Sequence, residues 1–154
     1  SIKIGGNENN IRSLSAEEER ICKEIKSTLG ISPIVWNYAP DSMVLENYKI
    51  DNEIHACEIF YEINNNPMTV QMYKADQVDS RVTKFDGKVI ETTKIIASDL
   101  EVQIWQIHNW GERKSFITQF ESNGGYYVIT GEIDDETFTK LIQSINFYKE
   151  DPNA

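Results

Sequence analysis

The sequence predicts an α+β domain in which an N-terminal and a C-terminal amphipathic helix pack on one face of a curved antiparallel sheet of about seven strands. Two observations lead to this prediction. Segments rich in β-branched and aromatic residues alternate with polar residues between turn signals, and a helical apolar stripe lies near each end of the chain. Helices that flank a run of strands commonly cover one face of an antiparallel sheet.

The first helix is predicted from a capping box at Ser15-Ala16-Glu17-Glu18, in which the Ser15 hydroxyl and the Glu18 side chain satisfy free backbone amides. Gly30 is placed to end this helix. Its apolar stripe consists of Leu14, Ile21, Cys22, Ile25 and Leu29.

Three antiparallel strands are predicted next, over residues 43–50, 55–63 and 68–74. Polar turns at 51–53 and 64–67 separate them. Strict alternation in the second strand predicts that the odd-numbered side chains point inward, namely His55, Cys57, Ile59, Tyr61 and Ile63.

The second half of the chain predicts further strands and the last helix. Asp86-Gly87 is a tight-turn signal between residues 82–85 and 88–90, and alternating segments follow at 100–105 and 116–121. A segment rich in β-branched and aromatic residues follows at 126–130. Asp134-Asp135-Glu136 supplies a helix cap and negative charge for the helix start. The predicted apolar stripe of this helix consists of Phe138, Leu141, Ile142 and Ile145.

The size and charge of the chain indicate one acidic domain. Of its 154 residues 40% are hydrophobic, and 25 acidic against 15 basic residues give a net charge of −10. This charge repels phosphate backbones, so we expect no nucleic-acid partner. We expect a flexible leader over residues 1–10, a single domain over 11–148 and a polar tail over 149–154.

Local catalytic motifs are lacking, and we expect a protein that is not an enzyme and holds no cofactor or metal. Cys22 and Cys57 are interpreted as two buried free thiols, with a disulfide left open. His55 and Cys57 lie two residues apart on one strand face, which is interpreted as core packing rather than a metal or thiol–imidazole site.

Four residues are the candidates for contacts with a ligand or partner. Trp36 and Trp110 adjoin turn residues, and Tyr38 follows Trp36 in a short aromatic stretch between Pro33 and Pro40. His108 follows an alternating strand, at a place where a loop end can hold a general base or a ligand contact.

Two stretches of the sequence resemble an uncharacterised bacterial family, domain of unknown function 4367. The first runs from Pro33 through Trp36 and Tyr38 to Leu45, although Asp41-Ser42 stands where the family has its usual glycine. The second, from Tyr126 to Phe138, resembles the final strand, glycine and helix start of the family. The family is similar to the lipoprotein-carrier and sigma-regulator sheet, a half-barrel covered by helices.

The resemblance implies an extracytoplasmic domain of a membrane-anchored protein in Gram-positive bacteria, in a group that includes proposed anti-sigma regulators. Its membrane tether would be an N-terminal segment absent from this chain. We therefore expect a non-enzymatic sensory or interaction domain in the cell envelope, with an envelope protein or a small ligand as partner. The alternatives are a carrier of apolar envelope molecules, and an uncharacterised hydrolase that uses His55 or His108.

Overall fold

The computed structural model describes residues 1–6, 12–77, 86–108 and 113–150. Over these residues the chain is an α+β protein with two helices, α1 (Ala16–Leu29) and α2 (Asp135–Gln143). Its strands are β1 (Ile2–Lys3), β2 (Ile34–Trp36), β3 (Val44–Asp51), β4 (Ala56–Ile63), β5 (Asn66–Lys74), β6 (Gly87–Ile95), β7 (Leu100–His108), β8 (Lys114–Ser122), β9 (Gly125–Gly131) and β10 (Ile145–Phe147).

Eight of the described strands form one open antiparallel sheet in the order β1-β3-β4-β5-β9-β8-β7-β6. Consecutive hairpins build each half, and β5 joins the halves by pairing with β9 from Met68↔Gly131 to Lys74↔Gly125. A separate two-stranded sheet pairs β10 with β2. The predicted α+β class and large antiparallel sheet are therefore confirmed.

Helix α1 begins and ends where its local signals predict. The Glu18 amide donates to Ser15 Oγ at 3.2 Å, and the Ser15 amide donates to Glu18 Oε1 at 3.3 Å, which completes the capping box. Gly30 follows the helix with φ of 73°, a left-handed conformation that glycine adopts without a Cβ penalty.

The core contains buried side chains from both helices and from the central strands. Ile25 and Leu29 of α1 and Leu141 of α2 belong to the same hydrophobic cluster as Ile59 and Val70. The predicted inward alternation in β4 holds for Cys57, Ile59, Tyr61 and Ile63, all of which are buried. His55 is the exception, because it lies in the turn before β4 with φ of 51° rather than in the strand.

Helix α2 is shorter than its apolar stripe predicts. It ends at Gln143, and Ile145 begins β10, where it pairs with Trp36. Ile145 is nevertheless fully buried, so the burial of its side chain was predicted correctly and its backbone conformation was not. A buried residue at helical spacing fits either structure when a short strand follows directly after the helix.

Part of the predicted leader packs against the domain. Residues Ile2 and Lys3 pair with Leu45 and Val44, and Ile4 is buried with its amide donating to Met43 O at 2.9 Å. The polar composition of residues 1–10 did not indicate this strand. Residues 7–11 lie outside the described part of the chain.

Arg12 holds this region together through its guanidinium group. Its Nε donates to Ile4 O at 2.8 Å, its Nη1 donates to Trp36 O at 2.9 Å, and its Nη2 donates to Glu18 Oε1 at 2.5 Å. The side chains of Arg12 and Glu18 are only 4% and 8% exposed. A buried pair with this many partners links the first residues, β2 and the start of α1.

Of the hairpin predicted at Asp86-Gly87, the structure describes only the strand that follows the turn. Gly87 begins β6 opposite Ile107, and a Cβ at this position would lie 2.3 Å from Gln106 O, so the close approach requires glycine. Residues 82–85 lie outside the described residues. No helix within the described ranges is long and apolar enough to cross a membrane.

Candidate functional site

Trp36 and Tyr38, two of the sequence candidates, lie at or beside the small sheet. Trp36 is 2% exposed in β2, and its ring packs edge-on against Tyr61 with centroids 5.9 Å apart. Tyr38 is half-buried, and Lys140 Nζ lies 4.6 Å from the centroid of its ring. Trp36 therefore serves the core, and Tyr38 is already engaged by a cation from α2.

His108, the third candidate, is exposed at the end of β7 and stands opposite Lys114 of β8. It lies in the large sheet, whereas Trp36 lies in the small one. Trp110, the fourth candidate, falls outside the described residues. The structure thus distributes Trp36 and His108 over separate sheets.

The two cysteines are free thiols, and both are buried. Burial raises the pKa of each thiol to about 12, with nearby carboxylates adding to the effect. A thiol with such a pKa is a poor nucleophile at neutral pH, because the reactive species is the thiolate. Their interpretation as buried core thiols agrees with this environment.

A cleft of about 620 Å³ opens at the turn between β3 and β4. We call it the hairpin cleft. It is lined by Lys49, Ile50, Asp51, Asn52, Glu53, Ile54, Ala56, Cys57, Glu58, Gln71 and Tyr73. Its volume falls within the range of small-molecule sites, about 300–1,000 Å³.

The β3–β4 turn shapes this cleft through Asp51. Its Oδ1 accepts hydrogen bonds from the Glu53 amide at 3.0 Å and the Ile54 amide at 3.3 Å. Such an aspartate turn is a local alternative to strand pairing. The turn leaves the side chain of Ile54, which lines the cleft, 58% exposed.

The polar wall of the hairpin cleft lies on the sheet face opposite to the core. Lys49, Glu58 and Gln71 form one cross-strand row, and Asp51 and Tyr73 belong to another row of the same face. Residues between these rows, such as Cys57 and Met72, point to the other face because side chains alternate along a strand.

The charges of the hairpin cleft are unequal, with three carboxylates against one amine. Gln71 Nε2 donates to Glu58 Oε2 at 3.0 Å, which fixes the Glu58 carboxylate. Burial and then the Glu58 charge raise the pKa of Tyr73, so its phenol stays protonated at neutral pH. Lys49 Nζ lies 5.5 Å from the centroid of the Phe60 ring, a cation–π distance.

A second cleft of about 460 Å³ lies between α2 and β6, and we call it the helix cleft. It is lined by Glu91, Asp135, Glu136, Thr139, Lys140 and Gln143. Thr139 Oγ1 donates to Glu91 Oε2 at 3.1 Å, and Gln143 Nε2 donates to Thr93 Oγ1 at 2.9 Å. These bonds attach α2 to β6.

Sequence reasoning missed the hairpin cleft because its residues come from three strands and a turn, and they lie together only in the folded sheet. A signal was present in Ile54, an apolar residue inside a polar turn. Among the described residues, no three histidine, cysteine or carboxylate side chains are grouped closely enough to hold a metal ion.

Comparison with known proteins identifies the family of this chain. A search of curated proteins finds no significant match. The family model described as Domain of unknown function (DUF4367) matches residues 33–145, a span that begins just before β2 and ends at the start of β10. The chain therefore belongs to the DUF4367 family, as the two resembling stretches predicted.

Proposed function

We propose that this chain is a non-enzymatic interaction domain that binds an organic cation, an amine or a guanidinium, in the hairpin cleft. The observation that carries this proposal is the combination of three carboxylates with the exposed Ile54 in one open cleft. Carboxylates attract the cationic group, and an apolar side chain beside them supplies contact area for its hydrocarbon part.

The charge of the whole chain supports the same class of ligand. A net charge of −10 raises the local concentration of cations and speeds their association. Glu58 is half-buried and held by Gln71, so its charge is less screened than that of a free surface carboxylate. Such a fixed acceptor gives orientation as well as attraction.

The setting of this domain is also part of the proposal. We place it outside the cell membrane of a Gram-positive bacterium, tethered by an N-terminal segment, in a protein such as an anti-sigma regulator. The support is the resemblance of the sequence to the family in which such proteins occur. Occupancy of the cleft would act on a regulator only if the ligand binds its two states with different affinity.

We further propose that the large sheet curves around the two helices as in the lipoprotein-carrier half-barrel. The Phe138 ring of α2 lies 6.0 Å from the Phe116 ring of β8, and Tyr48 of β3 donates to Glu24 of α1 at 2.5 Å. Both strand residues lie on the face of the sheet that contributes Ile59 and Met68 to the core.

The alternative of a carrier for apolar molecules has less support. Met68, Val70, Met72 and Ile129 of the face toward the helices are fully buried by neighbouring side chains. A carrier in this conformation would need that face to open. The polar hairpin cleft lies on the opposite face, which favours a cationic ligand.

A thermal shift experiment with spermidine tests the proposed function. Spermidine carries several amines, and we expect a saturable rise in the melting temperature of the chain, smaller at high salt. The variant Asp51→Asn/Glu53→Gln/Glu58→Gln keeps hydrogen-bond acceptors but removes the charges, and it should lose the rise.

The helix cleft provides the matched control. The variant Glu91→Gln/Asp135→Asn/Glu136→Gln removes the same number of carboxylates from the other cleft. It should keep the full rise in melting temperature. An equal loss in both variants would show attraction to overall charge, and the absence of any rise in the unmodified chain would contradict the proposal.

A further inference from the structure

The outer edge of β3 is covered over only part of its length. Strand β1 pairs with Val44 and Leu45 of β3. A register irregularity follows between Leu45 and Asn47, in the pairing of β3 with β4. From Asn47 to Asp51, β3 pairs with β4 on one side, and no described strand pairs with it on the other.

An edge of this kind offers backbone groups to an incoming strand. In an antiparallel ladder, alternate residues direct both N–H and C=O away from their partner strand. Asn47, Lys49 and Asp51 are exposed, so water reaches this part of the edge. The pairing of β1 with Leu45 and Val44 shows that β3 accepts an antiparallel strand on this side.

The charges beside the β3 edge favour a basic incoming strand over an acidic one. Glu46, Asp51 and Glu53 are exposed acids along the edge and its turn, while Lys49 lies over the Phe60 ring. A basic strand gains from these carboxylates, whereas an acidic strand is repelled. The hairpin cleft borders the same residues and is open to a side chain of that strand.

We infer that the β3 edge from Asn47 to Asp51 binds an extended basic peptide of a partner protein by antiparallel strand addition. A Lys or Arg side chain of the peptide then enters the hairpin cleft. This inference rests on the proposed function and names its ligand, since the peptide supplies the organic cation. Backbone hydrogen bonds give affinity, and the cleft gives preference for a basic side chain.

A set of capped synthetic peptides tests the inference. The probe alternates lysine with valine, and a matched peptide has glutamate in place of each lysine. Two further versions of the lysine peptide carry N-methyl groups on alternate amides, one version for each of the two registers. Strand pairing uses only one set of amides, so one methylated version should bind about tenfold weaker or worse and the other nearly normally.

Amide hydrogen exchange of the isotope-labelled chain locates the peptide. Edge-facing amides between Asn47 and Ile50 should exchange fast in the free chain and slow by about tenfold or more with the lysine peptide. The glutamate peptide should produce no protection. Binding of the lysine peptide should also weaken severalfold in Asp51→Asn/Glu53→Gln/Glu58→Gln.

The possible failures have different meanings. If the lysine peptide binds, depends on the three carboxylates and ignores N-methylation, strand addition is refuted while the proposed cation site stands. If neither spermidine nor the peptide binds, both proposals fail. Edge protection that grows with protein concentration in the absence of peptide would assign the edge to a second copy of the chain and refute the peptide partner.

Discussion

The hairpin cleft and the helix cleft contain the same number of charges and differ in what those charges do. Each is lined by three carboxylates and one lysine. In the helix cleft, Glu91 accepts from Thr139, Lys140 lies over the Tyr38 ring, and Asp135 and Glu136 occupy the first turn of α2. These groups stabilise the packing of a helix on a strand.

The hairpin cleft has a different environment. It combines its carboxylates with the exposed Ile54 and with a strand edge that lacks a described partner beyond Leu45. Charge content alone therefore does not mark a binding site. The neighbouring backbone and apolar surface decide whether a cleft supports the fold or remains available for a ligand.

The largest expected effect is a loss of protein stability when a core contact of α2, the helix that lines the helix cleft, is removed. Phe138 is fully buried in α2 and packs near Phe116, so Phe138→Ala should lower the free energy of unfolding by about 3–5 kcal/mol. Urea unfolding measures this change. The matched change in the hairpin cleft, Ile54→Ala, should stay within about 0.5 kcal/mol because its side chain is largely in water.

An equal loss in both variants would contradict the division into a structural cleft and an available one. A neutral Phe138→Ala would mean that α2 does not depend on this contact. A strongly destabilising Ile54→Ala would mean that the hairpin turn is part of the core.

A smaller effect is expected at the cap of α2. Partial burial would raise the pKa of Asp134, but hydrogen bonds from the Thr137 amide and hydroxyl outweigh it and lower that pKa below its ordinary value. A lowered pKa in the folded state stabilises the protein above the unfolded pKa, and this contribution is lost as the pH falls through the folded value.

Asp134→Ala should therefore cost about 1 kcal/mol at neutral pH, the usual magnitude for a lost N-cap. The stability curves of the variant and the unmodified chain should approach each other as the pH falls below about 4, the unfolded pKa, and through the lower folded value, where the aspartate of the folded chain becomes protonated. Chemical denaturation at several pH values checks this. The control Glu53→Gln changes an exposed acid of the hairpin cleft and should leave neutral-pH stability unchanged within about 0.5 kcal/mol.

The smallest predicted effect is a change in the pKa of Tyr73. Burial is the main cause of its raised pKa and the Glu58 charge is the second, so Glu58→Gln should lower the pKa part of the way toward its ordinary value. A pH titration of the Tyr73 ring signals by NMR measures it. The raised pKa stabilises the folded state below about pH 10, and this contribution is lost as the pH rises through the folded value.

The control for this titration is Glu91→Gln, which alters the helix cleft and should leave the Tyr73 pKa where it is. If Glu58→Gln also leaves it unchanged, the Glu58 carboxylate does not act on the phenol.

Features set by neighbouring residues were predictable from the sequence. The capping box at Ser15 and Glu18, the terminal Gly30 and the inward alternation from Cys57 to Ile63 are local patterns, and the structure has each of them. The family match also agrees with the stretches around Trp36 and Tyr127 that resemble it.

Features set by contacts between distant residues were not predictable. The pairing of β5 with β9, and the junction of Ile4, Trp36 and Glu18 at Arg12, depend on tertiary packing. The position of Ile145 fits the apolar stripe of a helix and also a buried position in a strand, so its backbone conformation was mispredicted. The hairpin cleft was missed for the same reason, since Glu58, Gln71 and Ile54 come together only when three strands have paired.

The proposed cation site is tested most directly by a two-dimensional NMR titration of the labelled chain with spermidine. We predict saturable shift changes concentrated at Asp51, Ile54, Glu58 and the side-chain amide of Gln71, with little change at Glu91 or Lys140. Changes of equal size in both clefts, or changes that never saturate, would contradict a specific site in the hairpin cleft.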